Sequence, residues 1–99
     1  MKTESKSIVK VKIDNFWAWK LANGKWLGLD PKNPETTDIF QTSKFPTEKA
    51  AKPFSAIVSG IVESGKALKI NFTEKQVSRF LNLTPDKLVF VRVFAEYEE

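Results

Sequence analysis

The chain contains no cysteine and no histidine. Without cysteine, no disulfide can hold the fold and the redox compartment cannot be read from thiols. Without histidine as well, the sequence lacks the usual zinc ligands, the Cys-His and Ser-His nucleophile pairs, and the one side chain that titrates near neutral pH. Any chemistry would depend on carboxylates, lysines, two arginines, hydroxyls and one tyrosine.

Long apolar runs are also absent. No segment approaches the roughly 20 apolar residues that a membrane-spanning helix needs, and no apolar run follows a basic start as in a secretory signal. We therefore expect no membrane partner and a cytoplasmic location. A phosphate-binding loop is not indicated either, because Asn23-Gly24-Lys25 lacks the strand-loop-helix context of such a loop.

The composition fits one small domain. The chain has 99 residues, of which 41% are hydrophobic and 12% aromatic, enough for a single core. We predict one domain over residues 1–99, with the polar residues 1–6 disordered. The net charge of +4 suits a weak polyanion binder and equally an ordinary lysine-rich protein.

The first third of the chain predicts a β-hairpin. Residues 8–14 alternate apolar and polar side chains, which is typical of a half-buried strand. A second apolar stretch over residues 16–21 leads to Asn23-Gly24, a strong signal for a two-residue type I′ turn. That turn would place Leu21 opposite Trp26 and all three tryptophans on one face of the sheet.

The remaining segments alternate between strand and helix patterns. They predict a short edge strand within 37–45, a helix from about Lys52, a strand over 67–72, a second helix after Thr73 and a final strand over 87–97. Thr73 and Gln76 have the spacing of a capping box. The order β-β-(β)-α-β-α-β predicts an α+β fold, with a mostly antiparallel sheet of four to five strands and two helices on one face.

The final strand carries apolar side chains on both faces. Its valines would suffice for the core of a sheet that helices cover on one side. The alternate positions hold Phe90, Arg92 and Phe94, which we call the aromatic-basic row. These side chains are surplus to a core and are candidates for a binding surface.

Rings interleaved with Lys and Arg on an open sheet face are what single-stranded nucleic acid needs, because bases stack on rings while cations track phosphates. The predicted site comprises Lys10, Lys12, Phe16, Lys20, Lys25, Phe90, Arg92 and Phe94. Which of these residues share a face depends on whether the alternation of side chains along the first strand is interrupted. In an unbroken strand, Lys10, Lys12 and Phe16 lie on the face opposite the tryptophans. A bulge at Asp14-Asn15 would reverse that assignment.

Other interpretations of the same surplus remain open. The rings would be core if the loop over 31–46 or another subunit covered them. An aromatic patch also fits a protein interface, and an edge strand at 37–45 or at the last strand could pair with a partner or a second copy. We predict a non-catalytic protein that binds single-stranded DNA or RNA; the alternative is an inhibitor or adaptor that binds a host protein, and an edge-strand homodimer is a further option.

An enzyme is the least favoured class. Glu35 and Asp38 lie close in sequence and Lys44 is near, but nothing in the sequence raises a carboxylate pKa or sets a nucleophile beside a base. We interpret these charges as solvated loop residues. The sequence predicts no cofactor and no metal site.

Residues 16–51 resemble a pattern found in small uncharacterised phage proteins. The pattern is an aromatic hairpin with a Gly24-Lys25-Trp26 turn, followed by Phe45, Thr47 and the alanines of a helix start at Ala50. The resemblance implies an accessory protein encoded by a virus or mobile element and located in the host cytoplasm. That class includes single-strand binders and inhibitors of host defence or host machinery. The resemblance implies no functional residues.

Overall fold

The two longest strands have 14 residues each and pair with each other. In the computed structural model, which describes residues 7–98, β1 (Ile8–Leu21) and β4 (Pro85–Glu98) form an antiparallel ribbon. Both strands are rich in the β-branched and aromatic residues that favour extended backbone. Two short strands, β2 (Trp26–Asp30) and β3 (Asn33–Thr36), complete a sheet of order β3-β2-β1-β4.

Two helices pack on one face of this sheet. They are α1 (Phe54–Ala67) and α2 (Glu74–Leu81). The core between helices and sheet comprises Leu21, Leu27, Phe54, Val58, Val62 and Phe80. The predicted α+β class, with an antiparallel sheet and two helices, is confirmed. Within residues 7–98, neither helix has the length and apolar character to cross a membrane. The predicted disorder of residues 1–6 lies outside the described residues.

The β1–β2 hairpin differs from the prediction by one residue. Leu21 O accepts a hydrogen bond from Gly24 N at 3.0 Å, and Lys20, rather than Leu21, stands opposite Trp26. Within the turn, Gly24 alone has a positive φ, +85°, which defines a three-residue loop with a glycine bulge rather than a type I′ turn. The shift moves Trp26 to the face opposite Trp19, because a strand's side chains alternate.

The strand predicted over residues 67–72 does not form. Instead α1 ends in a cap where Ile70 N donates to Gly65 O at 2.9 Å and Lys69 N donates to Lys66 O at 3.0 Å. These two bonds define a Schellman motif, and Lys69 has the left-handed conformation that the motif requires, at φ 60°. The cap occupies the backbone groups that a strand would have paired, although the apolar alternation had the strand period.

The middle of the chain also departs from the prediction. Residues 37–45 hold a short 3₁₀ turn instead of a strand; Phe45 forms a bridge to Trp17, and Ser43 N donates to Leu27 O of β2 at 3.0 Å. The strand that forms this edge of the sheet, beside β2, is β3, in a segment predicted to be a loop. It contains Pro34, which an edge strand tolerates because that side of the backbone needs no partner.

The start of α2 is as the sequence predicts. Thr73 Oγ1 accepts from Gln76 N at 3.1 Å, while the Gln76 side chain accepts from Thr73 N at 2.9 Å, so both bonds of the capping box are present. Phe80 of this helix is fully buried, whereas the neighbouring Leu81 is exposed.

We expect Lys69→Gly to stabilise the fold by roughly 0.5–1 kcal/mol. Glycine adopts the left-handed conformation without the steric cost that lysine has, although part of that gain is lost to the greater freedom of glycine in the unfolded chain. The free energy of unfolding is measured by urea denaturation. As a control, Lys66→Gly inside the last turn of α1 should destabilise by about 1 kcal/mol. Equal destabilisation by both substitutions would contradict the cap.

Candidate functional site

A β-bulge in β1 decides which side chains share a face with the aromatic-basic row. Lys12 stands opposite Phe94, and the next pair along the ribbon is Asp14 opposite Val93. Ile13 is therefore an extra residue without a partner on β4. One extra residue reverses the alternation of side chains for the rest of the strand. The sequence left open whether a bulge forms at Asp14-Asn15. A bulge does form, but at the preceding residue, Ile13.

The bulge gathers basic and aromatic side chains from both strands on one surface. Before it, Lys10 and Lys12 lie on the face of the aromatic-basic row; after it, Asn15 and Trp17 do, opposite Arg92 and Phe90. We call this surface the ribbon face, and it comprises Lys10, Lys12, Asn15, Trp17, Phe90, Arg92 and Phe94. Towards the β1–β2 hairpin, where Trp19 packs against Phe54, the helices cover this same side of the sheet.

The rings of the ribbon face are accessible. Phe90 is 39% exposed and Phe94 49% exposed, while Trp17 is half-buried. The Trp17 and Phe90 rings pack with centroids 5.2 Å apart and planes tilted by 51°. The Arg92 guanidinium lies 5.4 Å from the centre of the Phe90 ring and is itself exposed. Trp17 and Phe90 thus form a paired aromatic platform, and Phe94 is a single accessible ring beyond it.

The charge of the ribbon face is only weakly positive. Three cations, Lys10, Lys12 and Arg92, share the surface with two carboxylates near the end of β4. Glu96 lies opposite Lys10, with 3.5 Å between its carboxylate and the Lys10 ammonium. Both side chains are more than half exposed, so solvent screens this pair. Lys12 and Arg92 are therefore the principal cations for an anionic ligand.

The end of the ribbon extends beyond the rest of the fold. Within residues 7–98, β4 is the one strand that pairs with residues 8–14 of β1. The radius of gyration is 17.8 Å, against about 13 Å for a compact chain of this length. Ile8, Ile13 and Tyr97 are exposed on this extension, in addition to the ribbon face. A two-stranded ribbon alone is marginally stable in water.

Three residues of the predicted site lie elsewhere. Phe16 is on the opposite face and 3% exposed, so its inclusion as a stacking ring was wrong. Lys20 also points to that opposite face, with its ammonium 4.4 Å from the centre of the Trp26 ring. Lys25 lies by the hairpin turn, 3.6 Å from the Glu35 carboxylate. The bulge explains the misplacement of Phe16.

Two members of the ribbon face were missed by the sequence reasoning. Asn15 and Trp17 join it because the bulge reverses their phase relative to Lys12. The sequence did signal a break in this region, since Asp14 and Asn15 interrupt the apolar alternation. It contained no signal that the extra residue would be Ile13.

The loop carboxylates considered for catalysis have structural partners. Glu35 lies 3.4 Å from the Arg79 guanidinium on α2 and accepts a 2.6 Å hydrogen bond from Asn23. Asp38 accepts from Phe40 N at 2.9 Å and begins the 3₁₀ turn. Among residues 7–98, no group of three His, Cys, Asp or Glu side chains could hold a metal ion.

A second accessible surface is an apolar groove between α1 and β2. Its volume is about 460 Å³, and the apolar side chains that line it include Leu29, Phe45, Ile57, Ile61, Leu68 and Ile70. Leu68 and Ile70 are exposed there because the helix cap replaces the strand that would have buried them. The sequence pattern did not indicate this groove.

Comparison of the chain with family models, curated proteins and solved structures found no match. The functional argument therefore depends on the chemistry and geometry of the surfaces described above.

Phe94→Ala should lower the free energy of unfolding by about 1 kcal/mol or less, because the ring is half exposed and little packing is lost. Phe16→Ala removes the same atoms from a buried site and should cost about 3–5 kcal/mol. Chemical denaturation of the two variants measures the difference. Equal losses would mean that the Phe94 ring is core and that the ribbon face is not a free surface.

Proposed function

We propose that this chain is a non-catalytic binding protein that holds single-stranded nucleic acid on the ribbon face. The observation that carries the proposal is the exposure of Phe90 and Phe94 on either side of the exposed Arg92, with Lys12 directly opposite Phe94. An exposed ring can stack on any base, for about 1–3 kcal/mol per base, and the neighbouring cations can bind the phosphates.

The spacing of the rings favours an extended single strand. Phe90 and Phe94 are four residues apart on one strand, which separates them by about 13 Å. Neighbouring bases in a duplex strand rise by only about 3.4 Å. Two bases stacked on the two rings must therefore be unstacked from each other and separated along the chain. A duplex cannot meet that condition, whereas a flexible single strand can.

The weak charge of the ribbon face predicts a shallow salt dependence. Lys12 and Arg92 can each neutralise a phosphate, and Lys10 can add a third if it leaves Glu96. For two to three phosphates, log K should fall with log salt concentration with a slope of about −1.4 to −2.1. Stacking, which depends little on salt, would then supply much of the affinity.

A salt titration with a labelled oligothymidine tests the electrostatic part. We expect fluorescence anisotropy to show binding at low salt, and Arg92→Gln to make the slope shallower by about 0.7, since one phosphate contact is lost. Lys32→Gln, at an exposed lysine in the turn between β2 and β3, is the matched control and should leave the slope unchanged. No binding at low salt would refute the proposal.

Removal of the rings tests the stacking part. The variant Phe90→Ala/Phe94→Ala should bind the same oligonucleotide much more weakly, by about 1–3 kcal/mol for each base that loses its ring. Phe40→Ala removes a phenylalanine that is more exposed than either ring, from the 3₁₀ turn outside the ribbon face, and serves as the control. Equal weakening by the control would refute the assignment of the ribbon face.

A protein partner is the second candidate function. The apolar groove favours it, because exposed leucine and isoleucine side chains in a concave surface suit a peptide or helix of another protein. The partner could also use the ribbon face or an edge strand. An inhibitor or adaptor of this kind, acting in the cytoplasm, would fit the phage-type accessory proteins that residues 16–51 resemble. Failure of oligonucleotide binding would make it the leading proposal.

A further inference from the structure

We propose that two copies of the chain pair antiparallel through the outer edges of their β4 strands, so that the two sheets become one continuous sheet. The proposal goes beyond nucleic-acid binding and does not depend on it. It follows from the free edge of β4, from the alternation of its side chains and from the order of its charges.

The outer edge of β4 is well suited to pairing. Within residues 7–98, β4 is the last strand of the sheet, and no described strand pairs with its outer side. Its sequence is rich in valine and phenylalanine and has no glycine, and its single proline, Pro85, is the first residue. Proteins commonly protect a free edge with prolines, bulges, short strands or charged side chains. From Lys87 to Glu98, β4 has no proline, and its charged side chains are of both signs, so those of two copies can pair as well as repel.

The alternation of side chains limits how two β4 strands can pair. Residues opposite each other in an antiparallel pair point to the same face. If the ribbon faces of the two copies are to lie on the same side of the joined sheet, each even-numbered residue must oppose another even-numbered one. Under twofold symmetry, the axis then passes beside a residue that opposes its own copy.

The charges of β4 select one of these registers. An axis beside Arg92 would set two arginines opposite each other. An axis beside Phe94 instead sets Arg92 opposite Glu96 of the second copy, and by symmetry this ion pair forms twice. The two Phe94 rings then oppose each other at the centre. This register spans residues 90–98 of each chain. An axis beside Val89 would also set Arg92 opposite a carboxylate, that of Asp86, over a span of equal length, but that span includes Pro85, whose nitrogen cannot donate a hydrogen bond.

The other free edge of the ribbon is less suited to self-pairing. Along β1, an axis beside Val11 would set Lys10 opposite Lys12, and an axis beside Lys12 would set two lysines opposite each other. Pairing of β1 with the β4 of another copy is heterologous and would generate a ring or an open chain of molecules rather than a dimer. The β4 pair is closed, and it also joins the two ribbon faces into one longer surface.

Sedimentation equilibrium without nucleic acid tests this dimer. The wild-type chain should show a concentration-dependent shift to the mass of two chains. Arg92→Glu replaces both ion pairs by opposed carboxylates and should weaken self-association at least tenfold. Lys87→Glu makes the same charge change on the same strand, at an exposed residue outside the paired span, and should leave the dimer intact.

Charge reversal supplies the decisive variant. Arg92→Glu combined with Glu96→Arg re-forms the ion pairs with their signs exchanged and should restore the dimer. Circular dichroism checks that each variant is folded. If the double variant is unfolded, the comparison of Arg92→Glu with Lys87→Glu tests the dimer instead. A monomer at all concentrations, an open-ended oligomer, or equal weakening by Lys87→Glu would overturn the proposal. A dimer that binds no oligonucleotide would support it while refuting the proposed function.

Discussion

The extra residue at Ile13 is the constraint on which the binding surface depends. If β1 kept the register of Lys12 opposite Phe94 without a bulge, Phe16 would oppose Phe90 and the tryptophans would face the other way. With the bulge, Phe16 is buried and Trp17 packs against Phe90. The same residue brings Asn15 and Trp17 onto the face that already carries Lys10 and Lys12, so one local irregularity sets both the core and the exposed surface.

Element lengths explain why one side of the sheet has two roles. A 14-residue helix is about 21 Å long, whereas a 14-residue strand is about 46 Å long. The helices can therefore cover only part of the ribbon. At the covered end, the Trp19 indole donates a 2.8 Å hydrogen bond to Ala51 O and packs edge-on against Phe54. Beyond Trp17, neither helix of residues 7–98 extends over the rings, and the same face becomes accessible.

The sequence predicted what depends on composition and short patterns. The capping box at Thr73, the α+β class and the exposure of the Phe90-Arg92-Phe94 row all followed from residue types and their spacing. The expected core row of the last strand was wrong, because its valines are only partly buried and point away from the face that the helices cover. Features that depend on the position of a single residue could not be predicted from these patterns. An Asn-Gly pair allows a two-residue or a three-residue loop, and apolar alternation after α1 fits either a strand or a helix cap. In both cases local backbone hydrogen bonds define the alternative that forms, from Gly24 N to Leu21 O in the loop and from Ile70 N to Gly65 O in the cap.

Solution NMR offers the most direct test of the bulge. Nuclear Overhauser effects between side-chain protons report which rings are neighbours across the ribbon. We expect contacts between the Trp17 and Phe90 rings, and between Lys12 and Phe94, with none between Phe16 and Phe90. Contacts between Phe16 and Phe90 would mean that β1 is unbroken at Ile13, and the ribbon face as described would not exist.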